Sequence, residues 1–583
     1  MRLPSTFCAV VLWIVTVCVT GCSGYSSVRI TRPKAKAESL SGAVLRKALG
    51  DPRKEPELQI GRLLNAASLA SDKLRRNPKN NQARRDYNFA IGRIFEVIHE
   101  AGLEPWKQPI KCPGKDGPWT FSIKTDGDPT HDPSLFRILP ADRFEFNGSL
   151  VKQRTVKQGI GAPMVASSKP GLDFTKKDRF IMGQNVYYGL TVLIRFDGQR
   201  CTAVSYDPLQ VENVQFAGHS FPLAADFTAA IGLALAELKP RRTELERMFR
   251  PDQFAGTSRL ARLQPYEAHK IPILCIHGLG DSQATWAPLI ESLRGDPVIR
   301  QHYQFWFYTY PTGFPYPLMA AGLRKELDDM TARYPGHKKF VVLGHSMGGM
   351  IARELITDSG MKLWNAYFDV PPQELKVSPE GRSILENTLI FNHRSDISRV
   401  VFLSASLGGS DVAVGFFGRL GKKIMGNSTA ILGDMDDTMK AVKAAKPANT
   451  GEPILAMPNS LDALDPDNRF LTTINNIPPT PGIPYHSIIA DRGKGGNLDK
   501  TKPVSTDGLV PYWSSHIDGA QSELIVPSGH WSNQNPQAIA EVRRILLSHI
   551  GRKAGPVAPS VSEPQNLNTN ELQLPAGAPR ILD

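Results

Sequence analysis

Residues 340–350 read FVVLGHSMGGM, an apolar run that leads directly into a turn with a serine between two glycines. The apolar run predicts a strand, and the residues from Met347 onward predict a helix that begins at once. A serine in so sharp a turn takes unfavourable backbone angles, and Gly344 and Gly348 allow the strand and the helix to approach closely. The helix start would also direct free amides and a positive dipole end toward an anion. The pattern predicts Ser346 as a nucleophile.

Strands and helices alternate around this turn, from about residue 265 to residue 552. Apolar runs predict strands at 271–276, 305–310, 339–343, 400–404, 485–490 and 523–526. Other stretches predict helices at 284–294, 318–334, 347–357 and 536–550. Such alternation predicts the α/β class, with a mostly parallel sheet that carries helices on both faces.

A second motif lies at 273–286, where the sequence reads ILCIHGLGDSQATW. An apolar strand runs into a His-Gly-Leu-Gly turn about 70 residues before Ser346, and helix, strand and helix follow. A loop at this place is expected to supply a second hydrogen-bond donor for an oxyanion. We therefore predict the backbone amides of Leu279 and Met347 as the two donors.

A serine hydroxyl at its ordinary pKa is a poor nucleophile and needs a base. Among the 13 histidines, His530 follows the last predicted strand and precedes the last predicted helix, and we predict it as the base. His486 and His516 remain alternatives, the first inside a predicted strand and the second in a loop. His345 lies beside the serine and is expected to pack beneath it.

An acidic residue is needed to hold the imidazole in one tautomer and to stabilise the imidazolium. Asp507 lies in STDGLVP, between Ser346 and His530, and the chain order Ser, Asp, His agrees with this role. Asp491, which directly follows a predicted strand, and Asp411 remain alternatives. Any of these aspartates could instead be an ordinary turn or cap residue.

The stretches HGLGDS, GHSMGG, TDGLVPYWSSH and PSGHW resemble the lipase-like α/β hydrolases, a group that includes bacterial triacylglycerol lipases and GPI inositol-deacylase-like enzymes. The resemblance covers roughly residues 271–551 and supports Asp507 as the acid and His530 as the base. It implies a serine hydrolase that cleaves carboxylic esters, with lipid or acyl esters favoured, through an acyl-enzyme. The sequence has no evident lipase calcium site, so neither a metal nor another cofactor is predicted. The segment at 404–410 departs from the Pro-His-Arg-Gly-Ser type of several relatives, so their substrate preference does not transfer.

Two other functions remain open. An acyltransferase or a thioesterase would use the same triad, because acyl transfer and thioester cleavage need the same chemical groups. The alternative of another class is a non-catalytic envelope lipoprotein that binds a ligand or a partner, and the regions before residue 250 are its main support.

The first residues predict export and lipidation. Residues 1–21 combine Arg2 with an apolar run that is too short for a transmembrane helix, as in a signal peptide. The residues before Cys22 resemble a bacterial lipobox, which predicts lipid on Cys22 and a membrane anchor. An ordinary signal peptide is the alternative. We expect the protein in the cell envelope, and Ser23 favours the outer membrane, facing the periplasm, if the source has two membranes.

The remaining regions divide as follows. Residues 22–39 predict a lipidated tether, residues 40–104 a helical hairpin similar to one tetratricopeptide unit, and residues 105–250 a small β-rich domain. The hairpin cannot bury its apolar face alone and is expected to pack on the next domain. Residues 553–583 are rich in Pro, Asn and Gln and predict a disordered tail.

Two insertions, at about 360–392 and 412–483, interrupt the alternating pattern and predict a cap. The second contains an apolar helical face beside basic residues. This face predicts either a lid that closes over an acyl chain and meets a membrane, or a surface helix packed on the core. It consists of Phe416, Phe417, Leu420, Ile424 and Met425.

The formal net charge of +13 is dispersed along the chain, without a helix-turn-helix, zinc-finger or single-strand stacking signature. No nucleic-acid partner is predicted. The charge fits either an anionic membrane surface or cell-wall polymer, or a solvated basic surface. The cysteines lack zinc-site spacing, and a disulfide between Cys112 and Cys201 is left open.

Overall fold

The computed structural model describes residues 27–553, apart from 32, 34–44, 46–47, 50–52, 126–129, 152, 238–241, 416–461 and 493–505. The predicted signal peptide, Cys22, the apolar face that begins at Phe416 and the predicted tail beyond residue 553 lie outside the described residues. In the part that is described, no helix is long and apolar enough to cross a bilayer.

Before residue 250 the chain forms a helical hairpin and a β-rich unit. The helices are α1 (Pro56–Arg76), α2 (Asn81–Ala101), α3 (Ala229–Glu237) and α4 (Arg242–Phe249). The strands are β1 (Ser27–Ile30), β2 (Ile110–Cys112), β3 (Trp119–Ile123), β4 (Phe136–Pro140), β5 (Phe144–Asn147), β6 (Val156–Lys157), β7 (Ala162–Ser168), β8 (Tyr187–Asp197), β9 (Arg200–Tyr206), β10 (Asn213–Phe216), β11 (His219–Pro222) and β12 (Ala225–Asp226).

The hairpin of α1 and α2 packs on a six-stranded sheet with the order β2-β3-β9-β8-β7-β4. Helix α2 begins after Asn80, whose side chain accepts a hydrogen bond from the amide of Ala83. Its Tyr87 hydroxyl donates a hydrogen bond to the carbonyl of Ile194 on β8 at 2.6 Å. The hairpin and the sheet therefore bury their apolar faces in one shared core.

Strand β1 lies inside the segment that the sequence predicts as a tether. It pairs antiparallel with β5, with Ser27 opposite Asn147 and Ile30 opposite Phe144. Its four residues, SVRI, alternate polar and apolar side chains but are mostly exposed, and the run is too short to indicate a strand from the sequence alone.

The three cysteines in the described residues are buried and unpaired. Cys112 on β2 and Cys201 on β9 are separated by β3, and no disulfide joins them. Burial raises the pKa of both thiols to about 12, because a thiolate is poorly solvated inside the protein. Both residues therefore contribute packing to the shared core of the hairpin and the sheet.

From Arg259 onward the chain forms a second sheet flanked by helices. Its strands are β13 (Arg259–Arg262), β14 (Ile271–Ile276), β15 (Tyr303–Thr309), β16 (Phe340–His345), β17 (Ile397–Leu403), β18 (Tyr485–Asp491) and β19 (Ser522–Pro527). Its helices are α5 (Ala287–Arg294), α6 (Pro297–His302), α7 (Tyr316–Arg333), α8 (Met347–Glu354), α9 (Lys362–Tyr367), α10 (Pro379–Leu389), α11 (Arg469–Asn475), α12 (Tyr512–Ser515) and α13 (Pro536–His549).

This sheet has the order β13-β15-β14-β16-β17-β18-β19, and every neighbouring pair is parallel except β13 with β15. The α/β class predicted from sequence is confirmed. The edge strand β13 begins before the predicted domain boundary at residue 265. The sequence did not indicate it, because a run of four residues that mixes Arg with Leu and Ala is too short to show a period. Helices α9 and α10 lie in the first predicted insertion and α11 in the second.

The two regions are joined by a continuous apolar core. One buried cluster combines residues of β4, β5, β7 and α3 with residues of β14, β15, α5 and α13. Ion pairs also join the regions, since Arg300 on α6 binds Glu212 and Arg179 binds Glu326 on α7. Because the core is continuous, we expect the two regions to support each other's stability.

Candidate active site

Ser346 lies at the carboxyl end of β16, in a turn that we call the elbow (residues 344–348). Strand β16 ends at His345 and α8 begins at Met347, so the serine alone connects them, with φ 56° and ψ −126°. A side chain at Gly348 would place its Cβ 2.2 Å from the carbonyl oxygen of Ile276, and one at Gly344 would lie 2.7 Å from that of Gly348. Only glycine fits at either position.

Ser346, His530 and Asp507 form one chain of hydrogen bonds. Ser346 Oγ lies 2.8 Å from His530 Nε2, and His530 Nδ1 lies 2.7 Å from Asp507 Oδ2. The second carboxylate oxygen of Asp507 accepts the amides of Leu509 and Val510. With Nδ1 protonated and bound to the carboxylate, Nε2 is free to accept a proton from the serine.

All three side chains are buried, with exposed fractions of 8%, 6% and 1% for Ser346, His530 and Asp507. Burial strengthens electrostatic interactions within the group, because the surrounding protein screens charge less than water does. The arrangement can therefore transfer a proton from the hydroxyl and stabilise the imidazolium that results.

The alternative histidines lie at the opposite edge of the sheet. His486 is near the amino end of β18, where its Nδ1 lies 2.7 Å from Ser522 Oγ, and burial lowers its pKa to about 4. His516 binds Glu523, near the amino end of β19. Ser346 follows the carboxyl end of a parallel strand, whereas both histidines lie near amino ends of strands. Neither histidine is therefore on the side of the sheet that carries the serine.

The alternative acids differ from each other. Asp491 ends β18 and is buried at the carboxyl edge of the sheet, whereas Asp411 is exposed. The carboxylate that binds His530 Nδ1 nevertheless belongs to Asp507. Its turn brings the acid to the histidine through the Asp-Gly-Leu-Val segment that the sequence singles out.

The loop after β14 contacts the serine directly. A Cβ at Gly278 would lie 2.8 Å from the Ser346 Cβ and 3.3 Å from its Oγ, which places the backbone next to Leu279 beside the nucleophile. The ring of His277 stacks on Tyr310 at 4.5 Å, and the Tyr310 hydroxyl donates to the His277 carbonyl at 2.6 Å. These contacts fix the loop that carries one predicted oxyanion donor, while the other, Met347, begins α8.

His345 has a contact that sequence reasoning missed. Its Nε2 donates a hydrogen bond to the carbonyl oxygen of His530 at 2.9 Å. Burial, together with the nearby His530, lowers the pKa of His345 to about 3, so the ring is neutral. Burial likewise lowers the pKa of His277 to about 4. The elbow therefore holds the neighbouring loop through an uncharged imidazole.

Residues 528–535, which we call the histidine loop, are held by buried polar side chains. Ser404 Oγ donates to Ser532 Oγ at 2.8 Å, and Asn533 Nδ2 donates to the Thr285 carbonyl at 3.1 Å and to its hydroxyl at 3.0 Å. Ser532 and Asn533 are fully buried. Their only sequence signal is polar residues before a predicted helix, which is also typical of an ordinary cap.

No group of three or more His, Cys, Asp or Glu side chains is arranged to hold a metal ion within the described part of the chain. The groups that contact the Ser346 hydroxyl are those of the hydrogen-bonded chain through His530 to Asp507. The chemistry that they support is proton transfer and nucleophilic attack.

Residues 273–542 match the model of the alpha/beta hydrolase family. No curated protein matches the chain in sequence. Among solved structures, the mature lipase of Bacillus licheniformis is 16% identical, with a TM-score of 0.30, over 49% of this chain and 97% of that protein.

Two further solved structures are similar at the same level. A lipase-esterase related protein from Clostridium acetobutylicum is 14% identical, with a TM-score of 0.26, over 50% of this chain and 99% of that protein. The type II thioesterase of the borrelidin biosynthetic cluster is 15% identical, with a TM-score of 0.23, over 51% of this chain and 97% of that protein.

The family match runs from β14 into α13 and so spans the parallel strands of the second sheet. It confirms the predicted resemblance to the α/β hydrolases. The part of this chain that carries Ser346, Asp507 and His530 is therefore an α/β hydrolase domain.

Proposed function

We propose that this protein is a serine hydrolase that cleaves carboxylic esters through an acyl-enzyme. The observation that carries the proposal is the hydrogen-bonded chain from Asp507 through His530 to Ser346. Three groups of the required chemistry, in the required order and all buried, are explained most directly by nucleophilic catalysis.

Acylation begins when His530 Nε2 takes the proton from Ser346 Oγ and an Oγ electron pair forms a bond to the ester carbonyl carbon. The carbonyl π electrons move onto oxygen, where the amides of Leu279 and Met347 stabilise the charge. When the carbonyl re-forms, the bond to the alkoxy oxygen breaks with its electron pair. His530 gives that oxygen the proton, and Asp507 stabilises the imidazolium throughout.

Deacylation repeats these steps with water. His530 takes a proton from a water molecule, whose oxygen bonds to the acyl carbon, and Ser346 Oγ then leaves and regains a proton from His530. The products are one carboxylic acid and one alcohol, and the enzyme returns to its starting state.

We assign lipid or acyl esters as the substrate class and the cell envelope as the site of action. The support is the lipobox-like sequence at Cys22, which would place the active site beside a membrane. Replacing Cys22 with Ala is expected to move the full-length protein from the membrane fraction to the soluble fraction. Equal membrane association of both forms would contradict lipid anchoring at this residue.

The catalytic proposal is tested with a fluorophosphonate probe, which reacts with activated serines. A form that begins at Ser23 is expected to be labelled, whereas the Ser346→Ala and His530→Ala variants are not. His486→Ala is the matched control, since it removes a buried histidine from the other edge of the sheet, and it should keep the labelling. A series of esters and thioesters of increasing acyl length then defines the substrate.

Absence of labelling in the folded wild-type protein, with and without detergent micelles, would overturn the catalytic proposal. The alternative of a binding lipoprotein would then be favoured. Labelling that persists in Ser346→Ala would assign the reactive serine to another position.

A further inference from the structure

Trp531 is a large exposed aromatic residue in the middle of the histidine loop. Its exposed fraction is 49%, although His530 before it and Ser532 after it are buried. The ring centres of Trp531 and His530 lie 6.0 Å apart with an angle of 74° between their planes, an edge-to-face contact. The indole therefore lies between the buried imidazole of His530 and solvent, with part of its surface exposed.

The backbone on both sides of Trp531 is fixed. The Ser532 amide donates to the His530 carbonyl at 2.9 Å, and the Gln534 amide donates to the Trp531 carbonyl at 3.1 Å. Asn533 is bound to Thr285 as described above. This backbone sets the direction in which the Trp531 side chain leaves the loop, and the ring contact with His530 places its indole beside the base.

The proposed reaction indicates which part of the substrate would contact the exposed indole of Trp531. His530 Nε2 must give its proton to the alkoxy oxygen of the ester, so that oxygen lies within hydrogen-bond reach of the imidazole. The alcohol part of the substrate then extends away from Ser346 and past the histidine. Trp531 is the exposed side chain next to His530 in the chain and in ring contact with it.

We infer that Trp531 forms the aromatic wall of the leaving-group subsite and selects esters whose alcohol part is apolar and carries a flat ring. The inference rests on the proposed function. An indole face offers a broad apolar surface to a second ring and prefers an offset or edge contact with it. A small alcohol such as methanol leaves most of that face in water and gains little from it.

A second tryptophan provides the matched control. Trp513 has an exposed fraction of 43%, close to that of Trp531. Its ring packs over Gly408, where a Cβ would lie 2.8 Å from the indole. It therefore covers the segment after β17, and it belongs to α12 and not to the histidine loop.

The experiment compares benzyl and methyl butanoate, which yield the same acyl-enzyme and release alcohols of similar acidity. The benzyl-to-methyl ratio of kcat/KM isolates contacts to the alcohol during acylation. Trp531→Ala is expected to lower this ratio about tenfold, Trp531→Phe should keep most of it, and Trp513→Ala should leave it unchanged. If Trp531→Ala does not fold, Trp531→Leu replaces it, because it keeps apolar bulk but lacks the ring.

An unchanged ratio in a folded Trp531 variant that keeps fluorophosphonate labelling overturns the inference and leaves the proposed function intact. An equal fall of the ratio in Trp513→Ala also overturns it, since the effect would not be local to the histidine. If the wild-type protein cleaves neither ester and is not labelled, the proposed function fails and the inference fails with it.

Discussion

The elbow and the histidine loop each carry one member of the proposed triad, and they hold it by different means. In the elbow, Gly344 and Gly348 press against neighbouring backbone, and Ser346 is held at a positive φ. The histidine loop is held by side-chain hydrogen bonds, which Ser532 and Asn533 make within buried surroundings.

This difference determines how a substitution in the elbow or in the histidine loop affects the position of the catalytic side chains. Where backbone atoms are already in contact, an added side chain can be accommodated only if a strand or a helix moves. A single substitution in the elbow therefore displaces the nucleophile. Hydrogen bonds are separate contacts, and the loss of one leaves the others in place. We therefore expect substitutions in the elbow to abolish activity and substitutions in the histidine loop to reduce it by degrees.

The largest effect is expected for Gly348→Ala. The new Cβ would lie 2.2 Å from the Ile276 carbonyl oxygen, so α8 or β14 must shift and Ser346 with it. We expect kcat/KM for a model ester to fall by about a thousandfold or more, with a lower melting temperature. Gly256→Ala is the control, because nothing lies within 4 Å of its Cβ. Near-normal activity of Gly348→Ala would refute positioning by close backbone contact.

A smaller effect is expected for Asn533→Ala in the histidine loop. The substitution removes the two hydrogen bonds from Asn533 to Thr285 but leaves those from Gln534, His345 and Ser404. We expect kcat/KM to fall about tenfold and the free energy of unfolding to fall by about 1–3 kcal/mol. Kinetics and urea unfolding measure both, with Asn387→Ala as an exposed control. Complete inactivation in a folded protein would show that this loop is as intolerant as the elbow.

The smallest effect at neutral pH is expected for His345→Gln, which keeps an Nε2 donor toward the His530 carbonyl but removes a titrating ring. Because the pKa of His345 is about 3 in the folded protein, the unfolded chain takes up a proton first as pH falls below 6.5. Wild-type stability therefore decreases on acidification, by about 2 kcal/mol between pH 7 and pH 5 from this group.

The pH dependence of the free energy of unfolding, measured between pH 7 and pH 5, tests this prediction. The His345→Gln profile should be flatter than that of the wild-type protein. His269→Gln, which removes an exposed histidine, should leave the slope unchanged. A wild-type slope in His345→Gln would show that the ring at position 345 is not the group that resists protonation.

The fold and the candidate site differ in how much of each could be predicted. The elbow could be predicted because its strand, glycine spacing and helix follow one another within a few residues of the sequence. The alternation of strands and helices around it predicts the parallel sheet. His530 could be chosen because it follows the last predicted strand, and Asp507 because of the chain order Ser, Asp, His and the resemblance of its Asp-Gly-Leu-Val segment to the lipase-like hydrolases. Strand β1 was missed because a run of four mostly exposed residues is too short to establish a period.

The contacts that support the site were beyond sequence reasoning for a different reason. His345 meets the carbonyl of His530 across 185 positions of the chain, and Asn533 meets Thr285 across 248. Nothing in the local pattern marks such a partner, because a buried asparagine and an exposed one look alike before the chain folds. Trp531 was visible in the sequence, but its exposure was not.

The pairing of Ser27 with Asn147 fixes the chain to the folded body five residues after Cys22. Five residues span at most about 18 Å when fully extended. With a lipid on Cys22, strand β1 and the folded body attached to it would be held within about 18 Å of the bilayer surface. If the proposed activity holds, the protein would then act on esters that come close to that membrane and not on esters held in a more distant layer of the envelope.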